Sequence, residues 1–133
     1  MAVLIDTSVF VAIERGGAER LTLDDIRDED AMVSAVTASE LLHGVHRAES
    51  AIRRGRREAY VEKVLGSMPI LPFDLAVARV HARLWADLSR SGETIGAHDL
   101  QIAATALLHR LPLLTHNLRD FRRVPDLRVL TPS

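Results

Sequence analysis

The stretch that decides the fold is AVLIDTS, residues 2–8. Its first four residues form a short apolar run with β-branched Val3 and Ile5, which is typical of a buried parallel strand. The polar triplet that follows indicates the carboxyl end of this strand, opening into a helix. Because sites in open α/β sheets form at that edge, Asp6 is the first candidate functional residue of the chain.

The rest of the chain alternates further predicted strands and helices. We predict strands over 31–34, 113–115 and 128–130, and an edge strand or connector over 69–72, which has a proline at each end. We predict helices over 7–15, 19–27, 49–66, 74–91 and 98–110, and the helix over 49–66 should be interrupted at Gly55. A further helix should begin at the capping box Thr37–Glu40, and a helical turn should cover 117–121. This order predicts an α/β sandwich around a mainly parallel sheet, with Trp85 in the core or in a core that continues into a subunit interface.

Length and composition restrict the class of protein. A chain of 133 residues, 47% of them apolar, fits one globular domain over residues 1–133. It has no cysteine, which excludes disulfides, thiolate zinc sites and cysteine nucleophiles. We see no signal peptide and no apolar run near the roughly 20 residues of a membrane span, so we expect a cytoplasmic protein with no membrane partner.

The charge is distributed unevenly. Residues 1–43 carry nine acids and three arginines, whereas residues 44–133 carry an excess of basic side chains, and the formal net charge is -1. Four arginines crowd into 53–57, which indicates a solvated helix face or, alternatively, a clamp for a nucleic-acid backbone or a dock for a partner. The aromatic content of 4% argues against base-stacking platforms.

Four polar side chains stand at predicted strand ends or in the helices that follow them: Asp6, Glu40, Asp99 and Asn117. Right-handed crossovers in a parallel sheet bring such positions to one edge, so these groups can meet in one pocket. Three gathered carboxylates raise one another's pKa or hold a cation, and oxygen ligands without cysteine favour Mg²⁺ or Mn²⁺. The matching chemistry is metal-assisted phosphoryl transfer, and the alternative is that each group only caps a helix.

Four segments carry a family resemblance: LIDTS at 4–8, VTASEL at 36–41, IGAHDLQIAA at 95–104 and LTHNLRDF at 114–121. In this order they resemble the motifs of PIN-domain ribonucleases and, within that family, of the VapC toxins of toxin–antitoxin pairs. The resemblance implies a three-layer α/β/α sandwich, Mg²⁺-dependent RNA cleavage, a homodimer, and inhibition by a VapB-like antitoxin.

The resemblance also implies roles for individual residues. Asp6, Glu40 and Asp99 match the family's three invariant acids and would be the metal ligands. Asn117 matches a fourth position that many members fill with Asp, so a neutral group stands there. Supporting roles fall to Thr7, Ser8 and Thr115, which would hydrogen-bond the acids or an attacking water, and to Asp120, one helical turn after Asn117.

Two other hypotheses compete with a nuclease. A non-catalytic module with the same fold could bind RNA or a protein partner, which the amide at Asn117 favours and the three acids oppose. A haloacid-dehalogenase-type phosphatase needs a second aspartate two residues after Asp6, where Ser8 stands instead. Among the histidines, His43 and His46 lack a third ligand in pattern, and we expect His98 and His116 at the rim of the site.

Overall fold

The computed structural model describes residues 2–16, 22–27 and 30–132, and within them the elements follow the predicted order. The strands are β1 (Val3–Ile5), β2 (Ala31–Ser34), β3 (Ile70–Leu71), β4 (Leu113–Leu114) and β5 (Val129–Leu130). The helices are α1 (Thr7–Arg15), α2 (Leu23–Arg27), α3 (Ala35–His46), α4 (Ala51–Leu65), α5 (Leu75–Arg90), α6 (Ala97–Leu108) and α7 (Leu118–Phe121). Part of the helix predicted over 19–27 falls on residues 19–21, which lie outside the described residues.

The five strands form one sheet in the order β3-β2-β1-β4-β5, and every pairing is parallel. The prediction of a mainly parallel sheet is therefore confirmed, and β3 is an edge strand as its flanking prolines indicated. None of the helices in the described residues is long and apolar enough to span a membrane.

Strand β1 shows why both faces of the sheet are covered. Val3 and Ile5 point into a core built with α1 to α4, whereas Leu4 points into a second core built with α5, α6 and α7. Successive side chains of a strand alternate between faces, so an uninterrupted apolar run requires helices on both. The three-layer α/β/α sandwich is confirmed.

The order in which the chain forms the strands determines where in the sheet the site lies. From β1 the chain runs outward to β2 and β3, then returns to β4 on the other side of β1. The connections after β1 and β4 therefore leave in opposite directions, which opens a crevice at their carboxyl ends. Asp6 follows β1 and Thr115 follows β4, and the two strands run in register with Ile5 beside Leu114.

Two helix predictions were wrong in detail. Helix α3 begins at Ala35, because the Ser34 side chain caps it by accepting from the Thr37 N–H at 3.0 Å. Thr37 is therefore inside the helix and Glu40 lies in its second turn, not its first. Helix α4 is not interrupted: it continues through Gly55, where the backbone keeps its helical hydrogen bonds at the modest cost of a glycine in a helix.

The placement of Trp85 in the core of the single chain was also wrong, whereas the alternative of a subunit interface stays a prediction. Helix α5 buries Val77, Leu84 and Leu88, but Trp85 is 61% exposed and Leu75 is 66% exposed. Trp85 follows Leu84 by one residue and so lies about 100° around the helix from it, away from the side chains that α5 buries.

Candidate active site

Asp6 is held by two hydroxyl groups from different parts of the chain. Its carboxylate is almost fully buried, and its Oδ2 accepts from Ser8 Oγ and from Thr115 Oγ1, each at 2.7 Å. Asp6 occupies the N-cap position of α1, but its side chain makes no capping hydrogen bond. The carboxylate is therefore oriented by the crevice between β1 and β4 and not by the helix that it precedes.

Glu40 reaches the same crevice from α3. Its Oε1 accepts from Thr7 Oγ1 at 2.7 Å, and its Oε2 lies 3.5 Å from His98 Nδ1. The Thr7 hydroxyl also contacts the buried Thr37 hydroxyl at 3.1 Å. Glu40 is thus positioned by the first residue of α1 and by the start of α6, which brings three elements together at one carboxylate.

Asp99 is the acid whose ionisation is most strongly changed by the site. It lies in the first turn of α6 and is partly buried. Burial, followed by the negative charges of Asp6, Glu40 and Asp120, raises the pKa of Asp99 to about 6, and the hydrogen bond from Asn117 opposes this rise. The carboxylates are therefore close enough to repel one another, as three gathered acids were expected to be.

Asn117 links two carboxylates. Its Nδ2 donates to Asp99 Oδ2 at 3.2 Å and to Asp120 Oδ2 at 3.1 Å, while its side chain makes no capping bond to α7. Its backbone N–H donates to Thr115 Oγ1 at 2.8 Å. The hydrogen bond from Asn117, with help from Arg123, lowers the pKa of Asp120, so Asp120 is an anion at neutral pH.

This donor set fits a hard divalent cation. Asp6, Glu40 and Asp99 present oxygen ligands, and burial together with the neighbouring negative charges raises the pKa of Asp99, an effect that a bound cation would offset. Within the described residues, no three His, Cys, Asp or Glu side chains already stand at ligand spacing. The carboxylates would therefore draw together around an ion, since each is held by neutral hydroxyl or amide donors that allow small shifts.

The structure also gives the positions of the histidines and arginines that the sequence singled out. His98 is exposed and contacts Glu40, and His116 is exposed, so both lie at the rim as expected. Arg53, Arg54 and Arg56 are exposed on α4, in agreement with a solvated helix face. A cleft of about 440 Å³ lies between α1, α3 and α4. The residues that line it include Glu14, Arg47 and Arg57, and Glu40 and His98 lie at one end.

Two site residues were missed by sequence reasoning. Arg123 contacts Asp120, and Glu93 contacts Arg123, although neither belongs to a motif that was singled out. Arg123 lies three residues after Asp120, so helical spacing could have signalled that pair. The contact with Glu93 spans 30 positions and had no local signal.

Comparison with known proteins identifies relatives over nearly the whole chain. A sequence model of the PIN domain family matches residues 3–127. Ribonuclease VapC1 of Rickettsia felis is 40% identical over 133 residues, which cover 100% of this chain and 98% of that protein. Ribonuclease VapC of Rickettsia bellii is 37% identical over 131 residues, which cover 98% and 96% respectively.

Solved structures give the same result for the fold. VapBC-5 from Mycobacterium tuberculosis, a member of the VapBC family of toxin-antitoxin systems, superposes with a TM-score of 0.76 at 34% identity. The match covers 98% of this chain and 96% of that chain.

Proposed function

Because the chain belongs to the PIN domain family and is similar to ribonucleases named VapC, we propose that it is a metal-dependent endoribonuclease, the toxin of a toxin–antitoxin pair that acts in the cytoplasm. The observation that carries the proposal is that Asp6 and Glu40 lie near enough to Asp99 for their charges to raise its pKa, beside the crevice that opens between β1 and β4. Three carboxylates at a topological switch point suit metal-assisted cleavage of a phosphodiester.

The proposed roles follow from the contacts of each side chain. Asp6 and Asp99 would hold Mg²⁺, or Mn²⁺ in its place, and Glu40 would either ligate the ion or accept a proton from the attacking water. The bound ion would lower the pKa of that water and screen charge on the phosphate. Asn117 would keep Asp99 in place and orient the water or phosphate, and in-line attack would leave a 3′-hydroxyl and a 5′-phosphate.

A second candidate is a catalytically weak module that binds RNA or a partner. The amide at Asn117 supports it, because a carboxylate there would add a fourth charged ligand. Against it, Ser8, Thr7, Thr115 and Asn117 donate hydrogen bonds to the three acids. A binding module has no need to orient carboxylates in this way.

The direct test of the proposed function is cleavage of structured RNA by the purified protein. With Mg²⁺ we expect cleavage, and with EDTA we expect the activity to disappear, because the three carboxylates repel one another and cannot activate water without a cation. Adding Mg²⁺ or Mn²⁺ back should restore cleavage. Equal cleavage in EDTA would contradict the metal mechanism, and no cleavage under any condition would favour the binding module.

We further propose that a VapB-like antitoxin occupies the cleft between α1, α3 and α4. The cleft is lined by apolar Val11, Leu41 and Val61, and it ends at Glu40. An apolar helix or extended segment could lie along it and deliver an arginine to the acids. A guanidinium there would form charge-assisted bonds to two carboxylates and would replace the charge of the cation, which lysine does less well.

This arrangement predicts that the antitoxin competes with the metal. Titration of Mg²⁺ by calorimetry should show weaker binding when the antitoxin's C-terminal peptide is present, and the same peptide with its arginine replaced by alanine should have a smaller effect. Unchanged Mg²⁺ affinity in the complex would exclude competition and would leave steric occlusion of RNA as the means of inhibition.

We propose that the exposed face of α5 forms a homodimer. The rings of Phe73 and His81 meet edge to face with centroids 5.5 Å apart, and the His81 ring lies tilted against Trp85 with centroids 5.7 Å apart. Leu75 is exposed on the same helix. Burial lowers the pKa of His81, so the ring is neutral at neutral pH and adds no charge to this patch. A contiguous apolar surface of this kind is typical of a subunit interface.

The dimer proposal predicts that Trp85→Glu yields a monomer, because the new carboxylate would have to be buried without a partner. Sedimentation velocity at several concentrations gives the mass, and Arg83→Glu on an exposed position of α5 serves as a charge control. A Trp85→Glu protein that remains dimeric would place the interface elsewhere.

A further inference from the structure

Arg123 is connected to the acidic cluster by an unbroken series of hydrogen bonds. Its guanidinium donates to Asp120 Oδ1 at 2.7 Å and to Glu93 Oε2 at 3.0 Å, from different terminal nitrogens. The other oxygen of Asp120 accepts from Asn117 Nδ2, and the same nitrogen donates to Asp99. The series therefore runs from Arg123 through two side chains to a proposed metal ligand.

We infer that Arg123 is a positioning residue for the metal site, which acts through Asp120 and Asn117 to fix the carboxylate of Asp99. This inference rests on the proposed function, since it assumes that Asp99 binds the ion. It also gives Asp120 a defined place: its two oxygens are engaged by Arg123 and Asn117, so it supports the site instead of ligating the metal.

The amide of Asn117 is suited to this task. A carboxamide nitrogen carries two hydrogens, and here one is directed to Asp99 and the other to Asp120. Because both neighbours are carboxylates that accept hydrogen bonds, the end of the amide that faces them is its nitrogen. The two hydrogen bonds also hold the side chain in one orientation. An ionised aspartate at this position could donate to neither group, so the amide is a functional part of this network.

Arg123 also joins the two segments that carry the site residues. Asp120 belongs to α7, which directly follows Asn117, whereas Glu93 lies between α5 and α6, three residues before Gly96 at the start of the Asp99 helix. The planar fork of arginine can engage both carboxylates at once, which the single ammonium of lysine does less well. Arg123 thereby couples the position of Asn117 to that of Asp99.

The environment of Arg123 differs from that of an ordinary surface ion pair. Its side chain is 32% exposed, and its Nε is buried with no hydrogen-bond partner among the described residues. The pair of Arg90 with Asp87, on successive turns of α5, is 77% and 56% exposed. Arg90 pairs with a carboxylate that contacts none of the proposed site residues, so it serves as the matched control for Arg123.

The test is Mg²⁺ binding to the metal-free protein, measured by calorimetry without RNA. We expect Arg123→Met, which keeps the apolar stem, to weaken Mg²⁺ binding by about tenfold, the lower range for loss of a group that orients a metal ligand. Arg90→Met should leave the affinity unchanged. Arg123→Lys should recover only part of the loss, because it replaces the charge but not the fork.

A double-mutant cycle separates positioning from general stability. If Arg123 acts through Asn117, then Arg123→Met should cause no further loss of Mg²⁺ affinity in an Asn117→Ala protein. Additive losses, or an Arg123→Met protein that binds Mg²⁺ as tightly as wild type, would overturn the inference while leaving the proposed function standing. A wild-type protein that binds no Mg²⁺ would overturn both.

If thermal melts show that Arg123→Met folds poorly, Asp120→Asn tests the same series with a smaller change. This substitution removes the negative charge that pairs with the Arg123 guanidinium and keeps the size of the side chain. We expect weaker Mg²⁺ binding in this variant too, and unchanged affinity would overturn the inference.

Discussion

Replacing Asp99 by asparagine is expected to reduce RNA cleavage by about 10²- to 10³-fold, the scale seen when one preorganised electrostatic group is removed from an active site. The amide keeps the size of the side chain but supplies no negative charge to the ion. Single-turnover cleavage at saturating Mg²⁺ measures the loss. Asp87→Asn, on the exposed side of α5, is the matched control and should cleave as wild type does.

The same substitution, which lowers activity, is expected to raise the stability of the metal-free protein. Asp99 has a pKa of about 6 in the folded protein against 3.8 ordinarily, so the native state binds more protons than the unfolded state between these values. The contribution of Asp99 to the stability of the folded protein is therefore fully present below about pH 4, and it is lost as the pH rises through 6. Because Asp99 is only partly buried, solvent screening limits the loss to roughly 1–2 kcal/mol.

Urea denaturation in EDTA at pH 4.5 and pH 8 checks this expectation. Asp99→Asn should be more stable than wild type at pH 8, and the difference should shrink at pH 4.5. A variant that is less stable than wild type at both pH values would show that Asp99 stabilises the fold, and its loss of activity would then have a structural cause. Toxicity offers a further check: expression of wild type should arrest growth, and expression of Asp99→Asn should not.

The second large effect is expected for Thr115→Val, which changes the shape of a fully buried side chain very little. The substitution removes the hydroxyl that donates to Asp6 and the oxygen that accepts from the Asn117 N–H. We expect Mg²⁺ affinity to fall by about 10- to 100-fold, as for other groups that orient a metal ligand. Stability should also fall by roughly 1–3 kcal/mol, because buried polar groups lose their partners.

Thr105→Val is the matched control for this prediction. Thr105 is also buried, but its hydroxyl donates to the carbonyl of Gln101 within α6 and touches none of the acids. Calorimetry should therefore find normal Mg²⁺ affinity in Thr105→Val, and Thr115→Ser should retain much of the affinity because it keeps the hydroxyl. Equal Mg²⁺ affinity in the two valine variants would contradict a positioning role for Thr115.

Much of the fold could be predicted because the strands carry strong local signals. The run ending at Ile5 is short, β-branched and without a polar residue, which indicates a strand covered on both faces. The predictions that failed were those where a local pattern allowed two outcomes. Ser34 and Thr37 can each cap a helix, and Ser34 does so because β2 ends there. Trp85 is apolar enough for a core, but the neighbouring Leu84 is the side chain that α5 buries instead.

The amino-acid sequence by itself determined which residues are candidates for the site. An acid directly after a buried strand and polar groups in the following motifs are local features, and they single out Asp6, Glu40, Asp99 and Asn117. Local features also determined the order of strands and helices, because periodicity and capping act over a few residues.

Only the tertiary structure decided how these groups are held. Asp6 meets Thr115 across 109 positions because β1 lies beside β4, and Asp99 is joined through Asn117 and Asp120 to Arg123, which in turn contacts Glu93. No local pattern specifies which strands are neighbours, since that depends on how two hydrophobic faces are buried at once. The partners that orient a carboxylate therefore follow from the packing of the whole chain.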